Sequence, residues 1–588
     1  MREPRPTVPL ELPLYLIVFV FGAWLRLNQI DRYPLTDAEA SEALAALPEP
    51  SEFEPGGLSS QSPAYEVLTG LAFTLSGAAD GAARWVPAIA GAALVLTPLI
   101  VQRQLGRGPA FLAAILFAVS PTLWTASRTA GGATLAAVGL FAGVLFLVRA
   151  RSAIRGNLES TAAMLGLAAI SGPAAFSGLV TIGAGSALFG VVRRRRSNPH
   201  PDHTVALPWP STIPTEAVVR SLALAAFIAI ALATGLSLFV GALRGVFDGL
   251  GTWAEGWFRS SGVPAVTVLL QLPAYEPLAL VFGGAAGVRA LKKGRPLETW
   301  LACWTVGAVL TVALYSARQP EDILWIVIPL TILAAGEVSN LLDRISQAQH
   351  PGLLFGFVGA VVALLAFSYL QLVAYVRGPE SFQLFLGVPV LLGLAVMGIA
   401  FAAGALVLLG LGWSRQVALI VTGTAGLIVL LALSLSAGAG LNFAESSARE
   451  LWRPQASTLG LRGLQDTIRT LSEAQTGQPT ALPIQLGDKS TPALAWTLRN
   501  YSRSDSLDPA NSPPLVLIRE GAEADSLPSE YLGQSVTIGE GWDWTGWYPP
   551  DLLGWWLTRD APTLPERWVI LARQDVAGVE QLVPITEP

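Results

Sequence analysis

Leu353 to Val376 reads LLFGFVGAVVALLAFSYLQLVAYV, without a charged residue. At 1.5 Å per residue that helix is about 36 Å long, enough to cross a hydrocarbon core of about 30 Å. In lipid the segment must satisfy its own backbone, which a helix does and an irregular chain does not. Comparable runs lie at 12–25, 82–101, 109–126, 131–148, 160–176, 177–192, 220–243, 263–288, 298–317, 323–342, 384–411 and 416–438. The pattern predicts a polytopic all-α membrane protein with about thirteen spans. Within 160–192, Gly172 and Pro173 mark either a tight turn or a kink.

Composition agrees. The chain is 52% hydrophobic and 13% charged, whereas soluble domains carry about 25% charged residues. A net charge of −5 argues against a nucleic-acid partner, which needs concentrated Lys and Arg. The basic run Arg193 to Arg196 sits at a helix end instead. Cys303 is the only cysteine, so an internal disulfide and a cysteine zinc site are both excluded. His200 and His203 share a Pro-rich loop, as a metal pair or as solvated linker residues. The run Leu12 to Leu25 follows Arg2 and Arg5 like a signal peptide, but no small-residue cleavage site follows it, which predicts an uncleaved first helix.

Lys and Arg are retained in cytoplasmic loops, so their distribution predicts orientation. With the N-terminus inside, the cytoplasmic segments hold eighteen of them and the opposite loops and helix ends hold eight. An odd number of spans then puts the C-terminal tail outside, in the plasma membrane of a bacterium. The expected division is a membrane domain over 1–441 and an extracytoplasmic domain over 442–588. In the tail, Leu461, Leu464, Ile468 and Leu471 form a helical stripe, and Ser490-Thr491-Pro492 starts a second helix. Strands are expected at 483–486, 515–519 and 568–572, giving a small α/β domain. Trp542, Trp544, Trp547, Tyr548, Trp555 and Trp556 form an aromatic cluster suited to stacking on sugar rings, to anchoring at the headgroups or to core packing.

The first outer loop, about 31–62, is acidic: Asp31, Asp37, Glu39, Glu42, Glu49, Glu52, Glu54 and the following Glu66 flank the single cation Arg32. Asp37 and Glu39 directly follow the first span, where a carboxylate can accept a proton or hold a cation; a merely solvated acidic loop is the alternative.

Arg26-Leu27 and the run Tyr33-Pro34-Leu35-Thr36-Asp37-Ala38-Glu39-Ala40 resemble the first-loop signature of GT-C glycosyltransferases, the superfamily of protein O-mannosyltransferases and lipid A aminoarabinose transferases. Ser62-Pro63-Ala64-Tyr65, Arg84-Trp85-Val86-Pro87-Ala88, Leu105-Gly106-Arg107, Ala118-Val119-Ser120-Pro121 and Ser127-Arg128 continue the succession. The resemblance implies inverting transfer of a sugar from a polyprenyl-phosphate carrier to a protein, lipid or glycan acceptor at the outer face. It implies Asp37, with Glu39 second, as base or as ligand of a divalent cation such as Mg or Mn. Arg128, Arg259, Arg318 and Tyr65 are the implied substrate-binding residues, the arginines as grips for phosphate or as interfacial anchors. Two departures stand out: Ala38 separates the two acids, and Gln61-Ser62 occupy a place where the family often has His or Lys. A flippase for lipid-linked saccharides and a silent relative acting as an envelope scaffold are the rival readings.

Overall fold

Arg26, one residue from the end of the first helix Glu11–Leu27, is completely buried. A buried guanidinium requires acceptors, and it finds the carbonyls of Gly22, Ala118 and Phe117 at 3.0, 3.2 and 3.1 Å and the Ser127 hydroxyl at 3.2 Å. The first helix is thereby bolted to the helix Arg107–Val119 and the turn that follows it. The computed structural model describes residues 11–47, 61–151, 154–196, 209–210, 214–235, 243–348, 350–378, 388–444, 449–453, 455–504, 506–507, 512–521, 531–543 and 549–577. Glu49, Glu52 and Glu54, both loop histidines, and Trp544, Trp547 and Tyr548 lie outside the described residues.

The protein is a multi-pass membrane protein. Eight described helices are long and apolar enough to cross a membrane, and a bent pair, Ala265–Tyr275 with Ala279–Lys293, would make a ninth. The other expected spans are the helices Glu11–Leu27, Arg107–Val119, Ala133–Arg149 and Ile154–Ala169, of 17, 13, 17 and 16 residues. The helix beginning at Pro320 is the centre of the bundle, with 89% of its apolar window buried, against 22% for Pro351–Arg377 and Val390–Gly412 on the lipid-facing side.

Gly172 resolves the 160–192 ambiguity in favour of a turn. Its φ of +90° belongs to the left-handed region, and Pro173 then opens a new helix at a first-turn position where its missing N–H costs no hydrogen bond. The expected single span 263–288 is instead bent by 98° at Glu276-Pro277, where proline removes a backbone donor and a π-helical stretch, Ala279–Gly283, follows. Glu276 is buried there, its Oε1 accepting from the Ser120 hydroxyl and from both N–H and Oγ1 of Thr122.

The tail forms a six-stranded mixed sheet among the described residues. Its strands are β1 (Gln455–Ser457), β2 (Ile484–Leu486), β3 (Arg503–Ser504), β4 (Leu515–Arg519), β5 (Tyr531–Trp542) and β6 (Thr563–Arg573), in the order β1-β5-β6-β4-β2-β3. β2 is parallel to β3 and β4, and the other pairs are antiparallel. Helices Gly460–Thr476 and Pro492–Thr497 bury Leu464, Ile468, Leu494 and Trp496 in one cluster with Leu515, Leu517 and Trp568. Leu35, Ala40, Ala43 and Leu44 of the first loop enter that same cluster. The first loop and the tail therefore share a core.

Candidate active site

The local order of the first loop starts at Thr36. Its hydroxyl caps the helix Asp37–Ala45 by accepting from the Glu39 N–H at 3.4 Å, while Glu39 Oε2 accepts from the Thr36 N–H at 3.0 Å. This reciprocal arrangement is a capping box. Arg84, from the helix Asp80–Leu96, closes on the same carboxylate with two bonds of 2.7 Å and places its remaining donors on the carbonyls of Ile30, Tyr33 and Pro34. The Ala130 N–H adds a bond of 3.0 Å to Oε1. Burial by itself would raise the Glu39 carboxyl, but Arg84 overrides it and holds the group down at about 2. Glu39 is thus a buried, saturated anion that pins the loop to the bundle.

Asp37 faces differently. As the first residue of that helix it leans towards the tail, and its Oδ1 accepts from the Ala493 N–H at 2.9 Å. It lines an open cavity of about 1160 Å³ whose wall is drawn from both halves of the molecule. The bundle supplies Asp37, Glu42, Gln61, Tyr315, Glu321 and Asp322, and the tail supplies Trp452, Arg453, Thr491, Arg519, Glu540 and Trp542. Glu39 also touches the wall.

The other expected residues lie off that wall. Arg128 is buried and donates to the carbonyls of Leu25, Arg26, Asn28 and Gln29, capping the end of the first helix. Arg318 caps the helix Pro296–Leu314 through the carbonyls of Val312 and Ala313, and reaches that of Val263. Arg259 is exposed and pairs with Glu255 one turn away at 3.1 Å. Tyr65 is fully buried, its hydroxyl donating to the Ala83 carbonyl at 2.8 Å. Among the described residues, the cations that do reach the cavity are Arg453 and Arg519, neither singled out by the sequence reading. Nothing local marks Arg453; it follows the last span by ten residues and becomes a cavity residue only when the tail docks.

A metal fits poorly. Among the described residues no group of three or more His, Cys, Asp or Glu side chains is placed to hold a metal ion, and the Glu39 oxygens are already occupied. In the aromatic cluster, Trp542 and Trp555 pack edge to face at 5.6 Å, and Trp555 packs on Tyr275 of the bent pair. Those rings serve chiefly to seat the tail on the bundle.

No family model and no curated protein matches the chain. Among solved structures, ArnT from Cupriavidus metallidurans bound to undecaprenyl phosphate is similar over 97% of this chain and 98% of that one, with a TM-score of 0.53 and 16% identity. The apo state of the same protein gives a TM-score of 0.53 at 14% identity over the same shares. The Archaeoglobus fulgidus oligosaccharyltransferase tethered with an acceptor peptide is similar over 86% of this chain and 65% of that one, with a TM-score of 0.44 and 13% identity. A helical bundle and a docked tail that follow the ArnT structure from end to end give this chain the fold of the GT-C membrane glycosyltransferases.

Proposed function

We propose that the protein is a membrane glycosyltransferase that moves a sugar from a polyprenyl-phosphate carrier to an acceptor at the outer face of the membrane. The observation that carries this reading is the composite cavity with the Asp37 carboxylate on its wall, in a fold similar to a crystal structure that holds undecaprenyl phosphate. Asp37 takes the proton of an acceptor hydroxyl, the freed oxygen attacks the anomeric carbon, and the bond from that carbon to the phosphate oxygen breaks. The electron pair leaves with the lipid phosphate and the anomeric configuration inverts. The Ala493 N–H holds Oδ1 and so orients the carboxylate. Glu39 and Arg84 fix the loop that carries it.

The broken helix pair and buried Glu276 are what favour the flippase reading, because transporters use discontinuous helices and intramembrane acids. Glu276, however, is absent from the cavity wall, and its Oε1 is engaged by Ser120 and Thr122. Transfer of radiolabelled sugar from polyprenyl phosphate in membranes tests the proposal. Asp37→Asn should insert normally and lose about 10²- to 10⁴-fold in rate, the usual cost of removing a general base. A loss of less than about threefold would remove Asp37 from the chemistry. A parent inactive across a broad donor panel would favour the flippase or the silent relative.

A further inference from the structure

A lipid-linked sugar donor presents an anionic phosphate, and the sequence stretch that resembles the family offers Gln61-Ser62 where a cation would be expected. The arginines of the outer loops do not replace it, since Arg128 and Arg318 are committed to helix-terminal carbonyls and Arg259 to Glu255. Of the two arginines on the cavity wall, Arg519 is paired with Glu566 at 3.2 Å and lies over the Trp568 ring at 5.6 Å. Arg453 is different. Among the described residues its guanidinium donates no hydrogen bond and makes no ion pair; it lies over the Tyr33 ring at 5.5 Å. The acids that act on it electrostatically are Glu39, whose charge Arg84 already neutralises, Glu321 on the cavity wall, and Glu450, which the Tyr275 hydroxyl and the Arg559 guanidinium already engage.

The backbone beneath this cation is held firmly. Arg453 N–H donates to the Glu450 carbonyl at 3.0 Å, and Leu451 and Trp452 are buried. The Glu450 carboxylate accepts from the Tyr275 hydroxyl at 2.8 Å, with the Arg559 guanidinium 3.7 Å away. Trp555 Nε1 donates to the Arg449 carbonyl at 2.8 Å. The segment 449–453 is therefore clamped between the bent helix pair and the tail helix Pro549–Thr558. A long side chain rooted in so fixed a backbone is preorganised, which reduces the ordering cost of binding. A guanidinium fork with free donors, in a cavity that also holds Asp37, is suited to two oxygens of one phosphate.

We propose that Arg453, delivered by the tail, is the residue that grips the phosphate of the lipid-linked donor, so that the donor site is complete only when the tail is docked. This assignment rests on the glycosyltransferase reading above and names the donor's anchor within it.

The test is binding of undecaprenyl phosphate, and of uncharged undecaprenol, to the full-length protein in detergent, comparing the parent with Arg453→Gln, Arg453→Lys and the exposed control Arg259→Gln. Arg453→Gln should weaken undecaprenyl phosphate binding by about tenfold or more. Arg453→Lys should fall between, keeping the charge and losing the fork. Binding of undecaprenol should change by less than about twofold in every variant, and the salt dependence seen with the phosphate should flatten in Arg453→Gln. Undecaprenyl phosphate binding by Arg453→Gln within about twofold of the parent overturns the assignment and leaves the glycosyltransferase reading standing. Equal loss of undecaprenol overturns it too, because the defect would then be structural. A parent that binds no undecaprenyl phosphate overturns both.

Discussion

Asp37 and Glu39 are two residues apart on the same short helix and both border the cavity, yet their carboxylates are held differently: Asp37 accepts from the Ala493 N–H of the tail, whereas Glu39 is buried against Arg84 of the bundle. Glu39→Gln would leave Arg84 with a buried charge at 2% exposure and no paired carboxylate. Breaking a buried pair by removing one partner costs about 3–5 kcal/mol, so this variant should lose yield and melt well below the parent, whereas Asp37→Asn should melt with it. Since the Glu39 carboxyl is depressed from 4.5 to about 2, its contribution is complete above pH 4.5 and is lost as pH falls through about 2. Thermal midpoints between pH 7 and pH 3 should therefore fall for the parent more than for Glu39→Gln; parallel curves would mean that the pair contributes nothing. The role of Glu39 was legible: Thr36-Asp37-Ala38-Glu39 has the spacing of a capping box, a signal the resemblance to a reactive Asp-Glu motif overshadowed. Its second partner was not, because Arg84 is forty-five residues away and no local rule pairs them.

Helices Pro173–Arg196 and Pro296–Leu314 approach so closely at Gly185 and Gly307 that a Cβ on Gly307 would lie 2.7 Å from the Gly185 backbone nitrogen. Small residues allow this contact in membrane helices, where dispersion rather than hydrophobicity drives association. Gly307→Val must push two backbones apart, at a cost of about 1–3 kcal/mol or more, and should lower the thermal midpoint and the yield of folded protein. A midpoint matching the parent would show that the crossing is looser than described. The expected tail helices and the strands around 483–486, 515–519 and 568–572 are present. The longest strand, β5, was missed, because YLGQSVTIGEGW spreads three glycines through twelve residues and so lacks the β-branched density that signals a strand. It forms through its pairing with β6, a contact the local sequence does not announce.

Over the whole molecule, the tail completes the cavity wall and shares a core with the first loop, so both must lie on one side of the membrane. From the Lys and Arg asymmetry we propose that this side is the outside. A periplasmically active reporter fused after residue 445 should be active, and one that works only in the cytoplasm should be silent; the reverse pattern would invert the orientation. The bundle and tail are joined by aromatic and charged contacts around Tyr275, Glu450, Trp555 and Arg559, contacts between segments far apart in the chain.

The sequence by itself determined that the chain crosses a membrane many times, that a mixed α/β tail follows, and that the first loop is acidic. Uninterrupted apolar length, helix caps and the clustering of charges are local properties, and lipid enforces them segment by segment. Only the tertiary structure decided which acid faces the cavity, which arginines are spent on carbonyls and which of the two described cavity arginines keeps its donors free. Those outcomes depend on pairs such as Arg84 with Glu39, Asp37 with Ala493 and Arg453 with Tyr33. Each joins segments brought together by packing, and a side chain's availability for a ligand is what remains after the fold has used the donors and acceptors it needs.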